Sequence, residues 1–299
     1  MTAMVELKNV TKTIKGKKII DDLSFEVNHG EVFGFLGPNG AGKTTTIRMI
    51  VGLIGITEGD ILINGKSVQR DFADAMKDVG AIVENPELYK FLTGYQNLMQ
   101  FVRMTKGVTK ERIDEVVELV DLKDNIHKKV KTYSLGMRQR LGLAQCLLHQ
   151  PKVLILDEPT NGLDPAGIRE MRDHLRKLAK EENMCIIVSS HLLSEMEMMC
   201  DRIAIISKGK LVNVQNVHEQ MEENERSYLF EIDKLEEAIS LLEGKGYSVL
   251  KEQDGLVVST NREGIPFIIK LMVEKDINMY GIKEVKRTLE ERFLEITAN

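Results

Sequence analysis

The chain has 299 residues, 42% of them apolar, and a formal net charge of −5, which allows one large domain plus a small one and gives no electrostatic ground for nonspecific nucleic-acid binding. No run approaches the roughly 18 apolar residues of a membrane span, and Met1–Glu6 lacks the basic start and apolar core of a secretory signal, so membrane association is expected only through a partner. Cys146, Cys185 and Cys200 have no metal-ligand spacing and read as reduced thiols packed in the core of a cytosolic protein.

Taken in order, Met4 to Val10, Leu23 to Val27 and Glu31 to Leu36 form a β-rich lead-in, the last strand following an Asn28-His29-Gly30 turn. That strand runs into Gly37-Pro38-Asn39-Gly40-Ala41-Gly42-Lys43-Thr44-Thr45, and Thr44 to Val51 reads as a helix. This is the strand, loop and helix order of a phosphate-binding P-loop. Glycines let the backbone curl until several N–H groups point inward, and the helix adds its positive end. Lys43 is expected on the β- and γ-phosphates, the Thr44 hydroxyl on Mg²⁺, and Thr45 near the α-phosphate. A Gly-rich turn matching by chance would lack this context.

Gly59 to Gly65 reads as a strand ended by an Asn-Gly turn, and Val79 to Val83 as a buried strand leading into Glu84. From about 86 to 150 the apolar spacing becomes helical, as at Ile113, Val116, Val117 and Val120. After Pro151, strands (Val153 to Leu156, Met184 to Val188, Arg202 to Ile206) alternate with helices (Pro165 to Lys180, His191 to Met199), which implies a parallel sheet. The polar stretch 218–225 reads as a linker. Residues 226–299 then follow the order βαββαβ of a ferredoxin-like α+β domain, with a final helix ending near Ile296.

Four apolar residues, Val153-Leu154-Ile155-Leu156, precede Asp157-Glu158. A buried parallel strand ending in two carboxylates at the ligand edge of the sheet suits Mg²⁺ binding by Asp157 and polarisation of an attacking water by Glu158. A solvated strand end is the plainer alternative.

With these residues in place, positions 4 to 217 resemble the ATP-binding subunit of an ABC transporter. Tyr133-Ser134-Leu135-Gly136-Met137-Arg138-Gln139-Arg140 is similar to the family's signature loop, Asn161-Gly162-Leu163-Asp164 to the loop that crosses the dimer interface, and His191 to the switch histidine. The resemblance implies an α/β P-loop ATPase fold with a mixed or parallel sheet, an N-terminal β subdomain and a helical insert. It also implies ATP and Mg²⁺ as cofactors, an ATP-sandwich homodimer in which Ser134 and Gly136 meet the nucleotide of the opposite copy, and membrane permease subunits that tie the chain to the inner face of the membrane.

Three positions depart from the family. The usual Leu-Ser-Gly-Gly-Gln is here Tyr-Ser-Leu-Gly-Met, which keeps Ser134 and Gly136. The place of the adenine-stacking aromatic falls at Ile14, losing about 0.5–1.5 kcal/mol of stacking. Glu84 stands where glutamine is usual, a position that implies contact with Mg²⁺ and the attacking water; a carboxylate only accepts hydrogen bonds and adds charge. The segments Val83 to Tyr89 and Leu92 to Leu98 are similar to the subgroup linked to bacitracin resistance and lantibiotic immunity. The resemblance therefore implies export; an importer ATPase, a soluble non-transport ABC ATPase or a regulator with a dead site are the alternatives.

Overall fold

The computed structural model describes residues 3–217, 226–247, 249–252 and 255–285. The chain divides into two compact units, Met1–Val217 and His218–Asn299. The expected linker at 218–225 and the expected terminal helix lie outside the described residues.

In the first unit, β1 (Val5–Ile14) and β2 (Lys17–Val27) form an antiparallel hairpin closed by Lys15 and Gly16. Both turn residues have positive φ, 49° and 77°, the twist that a two-residue hairpin requires. β3 (Val32–Leu36) then leads into α1 (Lys43–Ile50), and β4 (Glu58–Ile63) returns to pair with β1. The Asn64-Gly65 turn, also at positive φ, joins β4 to β5 (Lys66–Ser67). These strands make an antiparallel sheet in the order β2-β1-β4-β5.

A short α2 (Phe72–Met76) and β6 (Val79–Ile82) precede the helical region. That region holds α3 (Gly94–Met104), α4 (Glu111–Leu119), a 3₁₀ turn at Val130–Thr132 and α5 (Leu135–Leu147). Thr93 and Gln96 form a capping box at the start of α3, satisfying two backbone donors reciprocally. Next come β7 (Val153–Asp157), α6 (Pro165–Glu181), β8 (Cys185–Ser190), α7 (Leu193–Met199), β9 (Arg202–Ser207) and β10 (Lys210–Asn216).

The second sheet has the order β10-β9-β3-β8-β7-β6, parallel throughout except for the β9–β10 pair. Every residue of β3, β7 and β8 is buried, as the continuous apolar runs predict for strands covered on both faces. Phe25, Phe33, Phe35, Ile47, Ile61 and Ile155 join the two sheets and α1 into one core. That core holds the carboxyl ends of β3, β7 and β8 side by side.

The second unit runs β11 (Arg226–Ile232), α8 (Leu235–Glu243), β12 (Val249–Glu252), β13 (Gly255–Thr260), α9 (Gly264–Glu274) and β14 (Met279–Val285). Its all-antiparallel order β12-β13-β11-β14 is ferredoxin-like. Alternate residues Tyr228, Phe230 and Ile232 point from the sheet onto Ala238, Leu242, Ile268 and Met272 of the two helices, giving this unit its own core.

Candidate functional site

The loop between β3 and α1 is held from several sides. A Cβ on Gly37 would sit 2.6 Å from the Ile206 carbonyl oxygen, and one on Gly42 (φ 110°) 2.4 Å from Ile20 Cδ1. Gly209 N donates to Ala41 O at 3.0 Å, tying the loop to the β9–β10 turn, and Ala41 N donates to Pro38 O at 3.0 Å. Pro38, Asn39 and Gly40 are exposed at the tip, and Gly40 adds a further positive φ of 82°. α1 begins with no side-chain cap, so its first N–H groups stay available to an anion. Thr44 and Thr45 are half-buried beside them.

Lys43 is buried, and its Nζ donates to Gly37 O at 2.7 Å. Burial lowers its pKa, while the charges of Glu158 and Asp157 work in the opposite direction. Asp157 ends β7, 4% exposed, and accepts at Oδ1 from Ser189 Oγ at 2.6 Å. The same hydroxyl accepts from Glu158 N at 3.0 Å, so Ser189 orients both carboxylate residues at once.

Glu158 leaves the strand in the left-handed region (φ 49°). Its Oε1 lies 3.7 Å from Lys43 Nζ and its Oε2 lies 3.3 Å from His191 Nδ1. The alignment at His191 is not that of a hydrogen bond, and Nδ1 is buried without one. The structure thus brings Lys43, Asp157, Glu158 and His191 together at the ends of β3, β7 and β8.

Other sequence-predicted residues stand elsewhere. Glu84 follows β6 at φ 70°, with an exposed carboxylate that pairs with Arg48 of α1. Ser134 is exposed and caps α5, accepting from Met137 N at 3.2 Å. A Cβ on Gly136 would meet nothing closer than Leu163 Cδ2 at 3.9 Å, and Asp164, also exposed, caps α6 by accepting from Gly167 N at 3.0 Å. Ile14 is exposed at the tip of the β1–β2 hairpin. No hydrogen bond among the described residues joins Ser134, Gly136 or Asp164 to the P-loop.

Known proteins match this arrangement. The family described as ABC transporter matches residues 20–161. An uncharacterized ABC transporter ATP-binding protein, YhcH of Bacillus subtilis (strain 168), is 62% identical over 297 residues, covering 99% of this chain and 97% of that protein. The chain belongs to the ABC transporter ATP-binding proteins. The bacitracin transport ATP-binding protein BcrA of Bacillus licheniformis is 40% identical, over 99% of this chain and 98% of its own. Among solved structures, cbiO1 from Clostridium perfringens, part of an ABC transporter complex, is 25% identical with a TM-score of 0.68, covering 73% of this chain and 90% of that one.

As a member of this family the chain is an ATPase, and the donors at its site fit a nucleotide with its magnesium ion. Mg²⁺ usually takes one or two carboxylates or hydroxyls and completes its shell with phosphate oxygens and water. Thr44 and Asp157 could supply one ligand of each kind, and the described residues hold no cluster of three or more acidic, histidine or cysteine side chains that would cage the ion alone.

Two residues of the ABC site were not legible in the sequence. One is Ser189. Its signal is a hydroxyl in a strand whose six residues are all buried, since a buried hydroxyl needs a partner. The other is Glu195 on α7, whose Oε2 accepts from Thr160 Oγ1 at 2.6 Å and from Ser190 Oγ at 3.0 Å. Nothing in the sequence around Glu195 distinguishes it from a surface glutamate. Across these residues no helix among those described is long and apolar enough to cross a membrane.

Proposed function

We propose that the chain powers export of a peptide antibiotic, lantibiotic or similar toxic compound through a separate membrane permease, working as an ATP-sandwich dimer on the inner face of the membrane. The observation that carries this reading is the full-length similarity to the bacitracin transport protein, which extends through the small C-terminal unit as well as the ATPase unit. Tyr89 and Phe91, with ring centroids 5.8 Å apart, together with Leu53 and Phe72, are large apolar side chains left exposed on the first unit, as a partner-binding surface requires.

In this reading the first unit is the ATP-binding domain, with residues 86–150 as its helical subdomain. Lys43, now on the Gly37 carbonyl, would turn to the β- and γ-phosphates, and Thr44 and Asp157 would hold Mg²⁺, whose charge would offset that of the phosphate oxygens. Glu158 acts as general base on the attacking water. His191, whose buried Nδ1 has no protein hydrogen bond, faces the same space and stabilises the γ-phosphate. Ser134 is exposed, Gly136 is half-buried, and neither is hydrogen-bonded to its own P-loop among the described residues, which suits delivery to the nucleotide of a second copy across an interface that includes Asp164. Glu84 is assigned to the metal and water contacts, for which its carboxylate would have to leave Arg48.

The purified chain is expected to hydrolyse ATP. Glu158→Gln should lower turnover by about 10²–10⁴, the usual contribution of a general base, and should give an ATP-dependent dimer by size exclusion. Co-expressed with its permease in a sensitive host, the wild type is expected to raise bacitracin resistance and Glu158→Gln to leave the host sensitive. Full ATPase activity in Glu158→Gln would overturn the site assignment, and unchanged sensitivity to bacitracin and lantibiotics would overturn the export reading.

A further inference from the structure

We propose that Glu195 is a positioning residue that locks the loop carrying Glu158 to the turn carrying His191, so that these two groups keep one spacing during turnover. The proposal rests on the reading of Glu158 and His191 as the hydrolytic pair.

Glu195 is only 8% exposed, on the α7 face that also buries Leu193, Met196 and Met199. Buried carboxylates usually have a cationic partner. None forms an ion pair with Glu195 among the described residues; two hydroxyls take that place. Thr160 and Ser190, 3% and 2% exposed, both donate to Oε2. Ser190 Oγ in turn accepts from Leu192 N at 3.0 Å, which shapes the turn around His191. A single oxygen therefore ties three segments: the loop after β7, the end of β8 and the first turn of α7.

The tie lies next to the reacting groups. Thr160 is two residues after Glu158, and Ser190 immediately precedes His191, while Glu158 and His191 approach to 3.3 Å. A cavity of about 220 Å³ is lined by Glu158, Thr160, Ser190, His191 and Glu195. Side-chain packing leaves this space beside the pair open, and the hydrogen bonds to Glu195 bridge the loop and the turn across it. Glu195 itself makes no hydrogen bond to Glu158 or His191.

Because both hydroxyls donate to the same oxygen, the carbonyl oxygen of a glutamine can accept both bonds. This separates positioning from acid–base chemistry. Glu195→Ala is expected to lower kcat roughly ten- to a hundredfold, as misplacement of reacting groups does, with KM for ATP changed by no more than about twofold. Glu195→Gln should recover at least about half of the wild-type kcat. Thr160→Val, which keeps side-chain shape, tests the same tie should Glu195→Ala fold poorly. It is expected to lose about fivefold or more in kcat, and the Thr160→Val/Glu195→Ala pair should be no worse than Glu195→Ala alone.

Any of three results would overturn the proposal: a Glu195→Gln variant as inactive as Glu195→Ala, Thr160→Val turning over at the wild-type rate, or losses in the double variant that multiply. These are distinguishable from failure of the site reading. That failure would show as a wild type without ATPase activity or a Glu158→Gln variant that keeps it.

Discussion

At the residue scale, the site depends on a few groups whose replacement has a computable sign. Ser189 is fully buried, donating to Asp157 Oδ1 and accepting from Glu158 N. Ser189→Ala leaves a buried carboxylate oxygen and a backbone N–H without that partner, and each unmet group costs about 1–3 kcal/mol. Urea unfolding is therefore expected to show a loss of about 2 kcal/mol or more, with lower Mg²⁺-dependent ATPase activity; a loss below about 0.5 kcal/mol, the range of neutral surface changes, would mean that the hydroxyl is dispensable. Gly42 and Gly16 separate backbone strain from contact. Both have positive φ, but a Cβ meets nothing within 4 Å at Gly16, whereas at Gly42 it meets Ile20 Cδ1 at 2.4 Å. Gly16→Ala should cost about 1–2 kcal/mol from strain alone. Gly42→Ala should cost more in thermal unfolding and also weaken ATP binding, because any shift to relieve the contact moves the loop that holds the phosphates.

At the scale of elements, the parts legible in the sequence are those whose signal is local. β3, β7 up to Leu156 and β8 up to Val188 read as apolar runs, and the P-loop is nine consecutive residues. β10 carries no such signal because it is an edge strand of mostly polar, partly exposed residues; the outer half of β2 also lies at a sheet edge and is mostly polar, and that of β1, an inner strand, is polar at Thr11, Lys12 and Thr13. The helix placed at His191 begins instead at Leu193, since the Leu192 N–H turns onto Ser190 Oγ and leaves His191 in a bend. Glu84 pairs with Arg48, 36 residues earlier, and Ser189 reaches back 32 residues to Asp157. Such partners are set by strand order, which no local pattern carries. The α5–α6 contact gives a pH prediction of this kind. Arg140 of α5 lies 3.3 Å from Asp121 and 3.9 Å from Glu170 of α6, next to His174. Burial lowers the His174 pKa from 6.5, as do Arg140 and Lys177, against the opposing charges of Asp121 and Glu170. A depressed histidine is neutral in the fold while the unfolded chain takes up its proton, so its contribution is present above pH 6.5 and lost as pH falls below that value. His174→Gln should therefore lose less melting temperature than the wild type between about pH 7.5 and pH 5.5. An equal loss in both proteins would exclude His174 as the source.

At the scale of the whole molecule, the separation of cores decides how ligand binding spreads. The P-loop, Asp157, Glu158 and His191 all lie in the unit that ends at Val217, and the ferredoxin-like unit is built around a core that includes Phe230, Leu256 and Ile268. A ligand stabilises only the cooperative body that must fold to bind it. With Glu158→Gln to prevent turnover, ATP and Mg²⁺ at about a hundred times the dissociation constant contribute about 2.7 kcal/mol. For a body of about 200 residues that corresponds to a rise of roughly 5–10 °C in melting temperature. Calorimetry is expected to resolve two transitions, the larger moving by that amount and the smaller staying within about 1 °C, since its folding is not linked to the nucleotide. If both move together, the two cores unfold as one body, and the energy of ATP binding reaches the C-terminal unit directly.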